Sequence, residues 1–381
     1  MRVTPQHENP QQGNTGSSTQ GLAAPRLAWI DMARGFCVIA VVLLHVGLFH
    51  VFPLAPDSHG RPVARAWVLF NTAILADLRM PLLLLLSGYL ARTKVREGLG
   101  YARTRIAIAT NFHLYLVWTL VFFALGVLFF PSMGDAPYEG RSWPGLLASL
   151  LYPQSGPLWF VYVLFVSLAV LAATRRVPVP IVLAGFFVVG WAAMVITHDA
   201  AGMPRAIFYA VGALLGEQLV ALTASRLATV VALVGYAGLT LVVEMVDGVF
   251  AYPAVVAGGL CAAVAFLAIA KIVARVPFLR VPGAWVGRRT LGIYVLHWPL
   301  VALLTWVGMV RPEWFRPWLT SELADVAYPI LATAVVIVVC MTLEKALKAV
   351  GLAVLFDPPQ AVKDRLTRSA RTTRRPVPVA S

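Results

Sequence analysis

The chain is divided into a succession of apolar windows, each close to twenty residues long and nearly free of charge. They fall at about 29–51, 67–90, 107–130, 157–173, 178–197, 204–222, 227–246, 250–272, 290–309 and 326–347. A hydrocarbon core of about 30 Å takes roughly 20 residues of helix to cross. One such window could be hidden in an aqueous core; ten in a chain of 381 residues could not. Only 13% of the residues are charged and the mean hydropathy is +0.78, whereas a soluble domain carries about 25% charged residues. The pattern predicts an all-α, polytopic membrane protein of about ten transmembrane helices.

The net charge of +14 would suit a nucleic-acid binder, but the basic residues sit between apolar windows and form no groove interleaved with aromatics. They read instead as topology signals, because Lys and Arg accumulate on the cytoplasmic side. With the N-terminus inside, twenty-four of the thirty-one Lys and Arg fall on that side, and only Arg61, Arg65, Arg79, Arg141, Arg205, Arg311 and Arg316 fall on the other. Both termini are therefore expected in the cytoplasm, and the multi-pass chain in the inner membrane. Residues 1–26, rich in Gln, Gly, Ser, Thr and Pro, read as a disordered tail without the pattern of a signal peptide. Residues 27–350 form the membrane domain, and 351–381 a basic tail expected to be disordered from about Asp357. Cys37, Cys261 and Cys340 lie inside apolar windows and suit small buried hydrophobes. The longest external loop is expected over about 131–156, so any chemistry must sit among the helices. No internal repeat is visible, which counts against a secondary transporter.

Ionisable residues inside a spanning segment are costly and mark functional candidates. Arg34 and His45 are eleven positions apart, which puts them within about 20° on one face of the first helix and about 16 Å apart along it. Asp31, one turn before Arg34, shares that face. Two readings compete for His45: an imidazole that only pins a neighbouring helix, or a general base toward a hydroxyl. For Asp31 a rim ion pair with Arg34 is the simpler reading.

The second window contains Asp77 and Arg79, which need partners in a cavity open to the outer face, then Pro81, expected to kink the span, and Ser87-Gly88-Tyr89, suited to close helix packing. A basic loop follows with Arg92, Lys94, Arg96, Arg103 and Arg105. It is either a topology anchor or a phosphate site. Tyr294 and His297 are i, i+3 neighbours in the ninth window, where a structural hydrogen bond competes with catalysis. Gly156 to Phe160, including Trp159, reads as an interfacial aromatic belt. His113 either lines the cavity above the basic loop or packs. His50, His59 and His198 lie near outer helix ends without the carboxylate or Cys company that a metal requires, so no metal site is expected.

These residues together resemble the acyltransferase-3 family of bacterial membrane O-acyltransferases. The similarity is carried by Asp31-x-x-Arg34-Gly35 with His45, by Arg79-Met80-Pro81-Leu82 through Ser87-Gly88-Tyr89, by Arg103-Thr104-Arg105-Ile106, by Gly156 to Phe160, and by Gly292-Ile293-Tyr294-Val295-Leu296-His297. The Met-Pro form looks most like the branch containing glucan succinyltransferases, although leucines stand here where the family has Phe-Phe. The resemblance implies transfer of an acyl group of the acetyl or succinyl type from cytoplasmic acyl-CoA to a hydroxyl of an envelope glycan or lipid-linked sugar, with no tightly bound cofactor. It implies His45, as general base or as acyl carrier, with Arg34 and Asp31 as the catalytic group, Arg34, Arg103 and Arg105 for the donor, and Asp77, Arg79, Ser87, Trp159, Tyr294 and His297 toward the acceptor. Members fused to an extracytoplasmic esterase-like domain finish transfer there, so this chain is expected to work alone or with a partner. The rival reading is a secondary transporter or flippase, since polar residues at mid-depth serve translocation equally well.

Overall fold

The computed structural model describes residues 28–55, 61–129, 142–153, 156–197, 202–246 and 248–372. It is all helical. In chain order the helices are α1 (Ala28–His45), α2 (Phe52–Leu54), α3 (Pro62–Leu69), α4 (Ala76–Glu97), α5 (Ala102–Phe129), α6 (Trp143–Leu151), α7 (Trp159–Ala173), α8 (Val179–Thr197), α9 (Ala206–Leu222), α10 (Arg226–Met245), α11 (Tyr252–Val273), α12 (Pro277–Gly287), α13 (Thr290–Val310), α14 (Glu322–Ala349) and α15 (Gln360–Thr372). The expected N-terminal tail, His59 and His198 lie outside the described residues.

Among the described residues nine segments are long and apolar enough to cross a membrane. The second sequence window is the exception, because α4 has 22 residues but carries Asp77, Arg79 and Arg92 within them. Helix direction resolves the count. Arg34 and His45 of α1 bond Thr290 and His297 of α13 in the same order, so the two helices run parallel. Among the nine segments α1 is first and α13 eighth, which would oppose them; with α4 included α13 becomes ninth and runs with α1. Helix α9 also rises with α4, for Gly212 meets Leu85 and Glu217 meets Arg92.

α4 tolerates its charges because it is surrounded by protein instead of lipid. Leu82 to Leu86 are all buried, 0–1% exposed, as expected of a helix apolar all round. A Cβ on Gly88 would collide with the Tyr209 carbonyl of α9, so only glycine permits this approach. Pro81 lies within the continuous helix; regularity breaks earlier, at a π-helical turn over Phe70–Ile74. Helices α8 and α10 form the periphery, with Ile181, Val188, Ile196, Leu227, Leu241 and Met245 exposed.

Two stretches depart from the sequence reading. Residues 142–153, expected in an external loop, include α6, whose Trp143 packs on Phe123 while the Ser149 carbonyl accepts from Tyr115, so α6 runs back down beside α5. Gly156 then lies against Phe122 and Trp298 before α7 descends. The second departure is the C-terminal segment, expected to be disordered. It turns at Gly351, its Val354 and Leu355 carbonyls accept from His113 (2.6 Å) and Trp118 (2.8 Å), and α15 returns along α5. Composition signalled the charge of this segment, but not the side chains on α5 that hold it.

Candidate active site

The polar stripe of α1 faces α13 along its length. At the rim, Arg34 Nη2 donates to Thr290 Oγ1 at 2.7 Å, and Nη1 lies 3.9 Å from Asp31. Asp31 is buried where the start of α1 meets Gly287 of α12. Eleven residues beyond Arg34, about 16 Å along the axis, His45 ends the regular α-helix and the chain widens into a π-helical turn, Val46–Val51. Such turns recur at functional sites because they re-aim side chains.

His45 is half-buried, with its Nδ1 2.9 Å from Nε2 of the fully buried His297. His297 Nδ1 lies 3.2 Å from the Ile293 carbonyl. A carbonyl can only accept, so Nδ1 of His297 carries hydrogen and, with both rings neutral, its Nε2 must accept. Nδ1 of His45 is then the donor, and Nε2 of His45 is left with an available lone pair. The His45 and His297 rings are nearly parallel, 18° apart, with centroids at 5.1 Å, and Trp298 closes edge-on against His45 at 4.8 Å, with Phe49 at 6.0 Å. The arrangement holds the imidazole in one orientation and one tautomer.

Cationic and aromatic groups from three other helices converge at this depth. Arg79 of α4 is buried, donates to the Asn71 carbonyl at 2.8 Å, and lies within electrostatic reach of His45 and Tyr294. Tyr294 is 1% exposed, with its ring 4.7 Å from Phe160 and 5.6 Å from His297. Arg205, in the turn Met203–Arg205 before α9, also reaches Tyr294 electrostatically and lies over Trp159 at 5.7 Å. Trp159, read from sequence as an interfacial residue, therefore stands beside a cation at the entrance of α7. Arg205 was legible only as an outer-side charge, since no local motif connects it to Trp159, 46 positions before it, or to Tyr294, 89 after it.

α7 has 15 residues, about 22 Å, and α9 has 17, about 25 Å. Both start near the histidine layer, where Gly202 lies close to Tyr152 and Trp159. Irregular backbone at such depth is tolerated only where protein buries it or water reaches it, and Pro157 and Leu158 are buried. Gly156, at φ +64°, adopts a left-handed conformation that brings its backbone against the Trp298 ring.

Other sequence candidates lie elsewhere. Ser87 donates to the Leu83 carbonyl of its own helix at 2.7 Å. Arg103 pairs with Glu97 and Arg105 donates to Leu99 and Ser369, all at the basic rim. His50 bonds the Tyr328 hydroxyl at 2.7 Å, near the Arg61–Asp325 ion pair. The side chain of Asp77 lies outside the described residues. Among the described residues no three His, Cys, Asp or Glu are grouped as a metal ion would need.

No curated protein and no solved structure matches the chain. A family model described as an acyltransferase domain matches residues 27–345, most of the chain and nearly all of its helices. With the paired histidines, the buried arginines and the multi-pass frame in place, that match gives the membership: the chain belongs to the acyltransferase-3 family of membrane acyltransferases.

Proposed function

We propose that the protein transfers an acyl group of the acetyl or succinyl type from cytoplasmic acyl-CoA to a hydroxyl of an envelope carbohydrate, with His45 as the general base. The observation that carries this reading is the hydrogen-bonded chain Ile293–His297–His45, which leaves Nε2 of His45 as the proton acceptor. In the proposed reaction, His45 takes the proton of the acceptor hydroxyl while its oxygen attacks the thioester carbonyl. The C–S bond breaks as the C–O bond forms, and the leaving thiolate recovers the proton from His45. Arg79 and Arg205 offer positive charge for the carbonyl oxygen as it becomes negative, and Tyr294 offers a hydroxyl donor. Arg34, with Asp31 beside it, lies between the basic rim and His45 and steers the donor inward.

The topology fits this direction. Arg92 and Arg96 with Glu217, Arg175 with the Arg96 carbonyl, Lys271 with Thr223 and Arg105 with Ser369 share one rim, which the positive-inside rule assigns to the cytoplasm. Both termini and the donor then belong to that side of an inner membrane, and the glycan acceptor approaches from the other. The test is acyl transfer by purified protein in nanodiscs, with acyl-CoA and a panel of envelope glycans, and mass spectrometry of the product. His45→Ala should lower kcat by about 10²–10⁴-fold in a protein that still folds. Full activity in that variant would remove His45 from the chemistry, and substrate movement without acyl transfer would mark a transporter.

A further inference from the structure

The C-terminal helix is the part of the described structure that the proposed reaction leaves without a role. It and the turn that leads into it are tied down at several points. His113 and Trp118 of α5 donate to the carbonyls of Val354 and Leu355, Phe356 is buried against Trp118 and under Lys348, and Arg105 Nη1 donates to Ser369 Oγ at 2.8 Å. This docking brings basic side chains of two helices together. Arg365 lies one turn before Ser369 and Arg368 directly before it, so on a helix Arg365 shares the side on which Arg105 arrives. Both are exposed, and neither forms an ion pair among the described residues. Like charges gathered at a fixed contact repel unless an anion neutralises them.

We infer that α15 forms one wall of the site for the donor's nucleotide phosphates, with Arg365 and Arg368 joining Arg105 around a polyphosphate anion. The inference rests on acyl-CoA as the donor. The geometry favours this anion because Arg105 and Phe122 stand seventeen residues apart on α5, about 25 Å, and Phe122 adjoins the Trp298 layer beside His45. An elongated donor with phosphates at one end and a thioester at the other spans that interval. An anionic lipid headgroup offers the same phosphate chemistry, and the experiment separates the two.

The full-length Arg365→Glu/Arg368→Glu variant is compared with wild type in phosphatidylcholine nanodiscs, by titration with CoA and with 4′-phosphopantetheine, which lacks the nucleotide. Weakening of CoA binding by about tenfold or more, with 4′-phosphopantetheine binding unchanged, is the expected result. Equal CoA affinity in the two proteins overturns the role of α15 and leaves the donor reading standing. Failure of wild type to bind CoA removes the donor reading and this one with it. An effect seen only in discs containing phosphatidylglycerol assigns the cluster to lipid and also overturns the inference. A variant that unfolds is replaced by Arg365→Gln/Arg368→Gln, to which the same outcomes apply.

Discussion

His297 is a positioning residue in the proposed mechanism, and its replacement by leucine should separate that role from general-base catalysis. The substitution removes the acceptor 2.9 Å from Nδ1 of His45 while leaving a side chain that fills much of the space. The Nδ1 donor then loses its partner in a buried setting, at a cost of about 1–3 kcal/mol. It also loses the contact that fixes the tautomer. If that cost falls on the reactive arrangement, kcat declines by roughly 5- to 150-fold, less than the 10²–10⁴-fold expected for His45→Ala. His297→Gln places an amide oxygen within reach of Nδ1 and should recover part of the rate, which a purely space-filling role would not allow. Thiol release from acyl-CoA at saturating donor and acceptor gives kcat, with a melting curve for each variant to exclude misfolding. The reasoning fails if His297→Leu matches His45→Ala, which would make His297 the base, or if it leaves kcat unchanged.

Two further substitutions test the frame and the charge around the dyad. Arg205→Gln should lower kcat/KM by about 10²-fold, with Arg205→Lys less affected, because a point charge replaces some but not all of the guanidinium's donors; unchanged kinetics would reduce Arg205 to a packing partner of Trp159. Gly88→Leu forces a side chain into the Tyr209 carbonyl and should cost about 1–3 kcal/mol or more, read as a lower Tm in detergent, whereas Gly47→Leu, with nothing within 4 Å of its added Cβ, should leave Tm nearly unchanged.

Much of this site was legible because helix periodicity is a local property. The eleven-residue spacing of Arg34 and His45 puts both on the face that meets α13, and the Tyr294–His297 spacing does the same from the other side. What a single sequence cannot display is which face meets which. The His45–His297 bond joins positions 252 residues apart, and Arg205 enters the site only because α9 packs against α4 and starts at the right depth. The short α6 was hidden for another reason: its apolar residues are too few for a span, so the stretch reads as a loop. Helix α15 was hidden by its charge, since a polar basic segment lacks a core of its own; Arg105 meets it at Ser369, and His113 and Trp118 hold the turn before it. α4 inverted the usual rule, because a helix enclosed by protein can carry arginine where a lipid-facing helix cannot.

The abbreviated α7 and α9 have a consequence for traffic through the bilayer. Each begins at about the layer that His45 occupies, so in the proposed reaction neither the thioester's carrier nor the sugar would have to pass from one compartment to the other. Under that proposal only the small acyl fragment would change sides, by exchanging one covalent bond for another. On that reading the protein would export a chemical group without the alternating gates of a pump, across a layer where Phe49 and Trp298 close on the His45 imidazole.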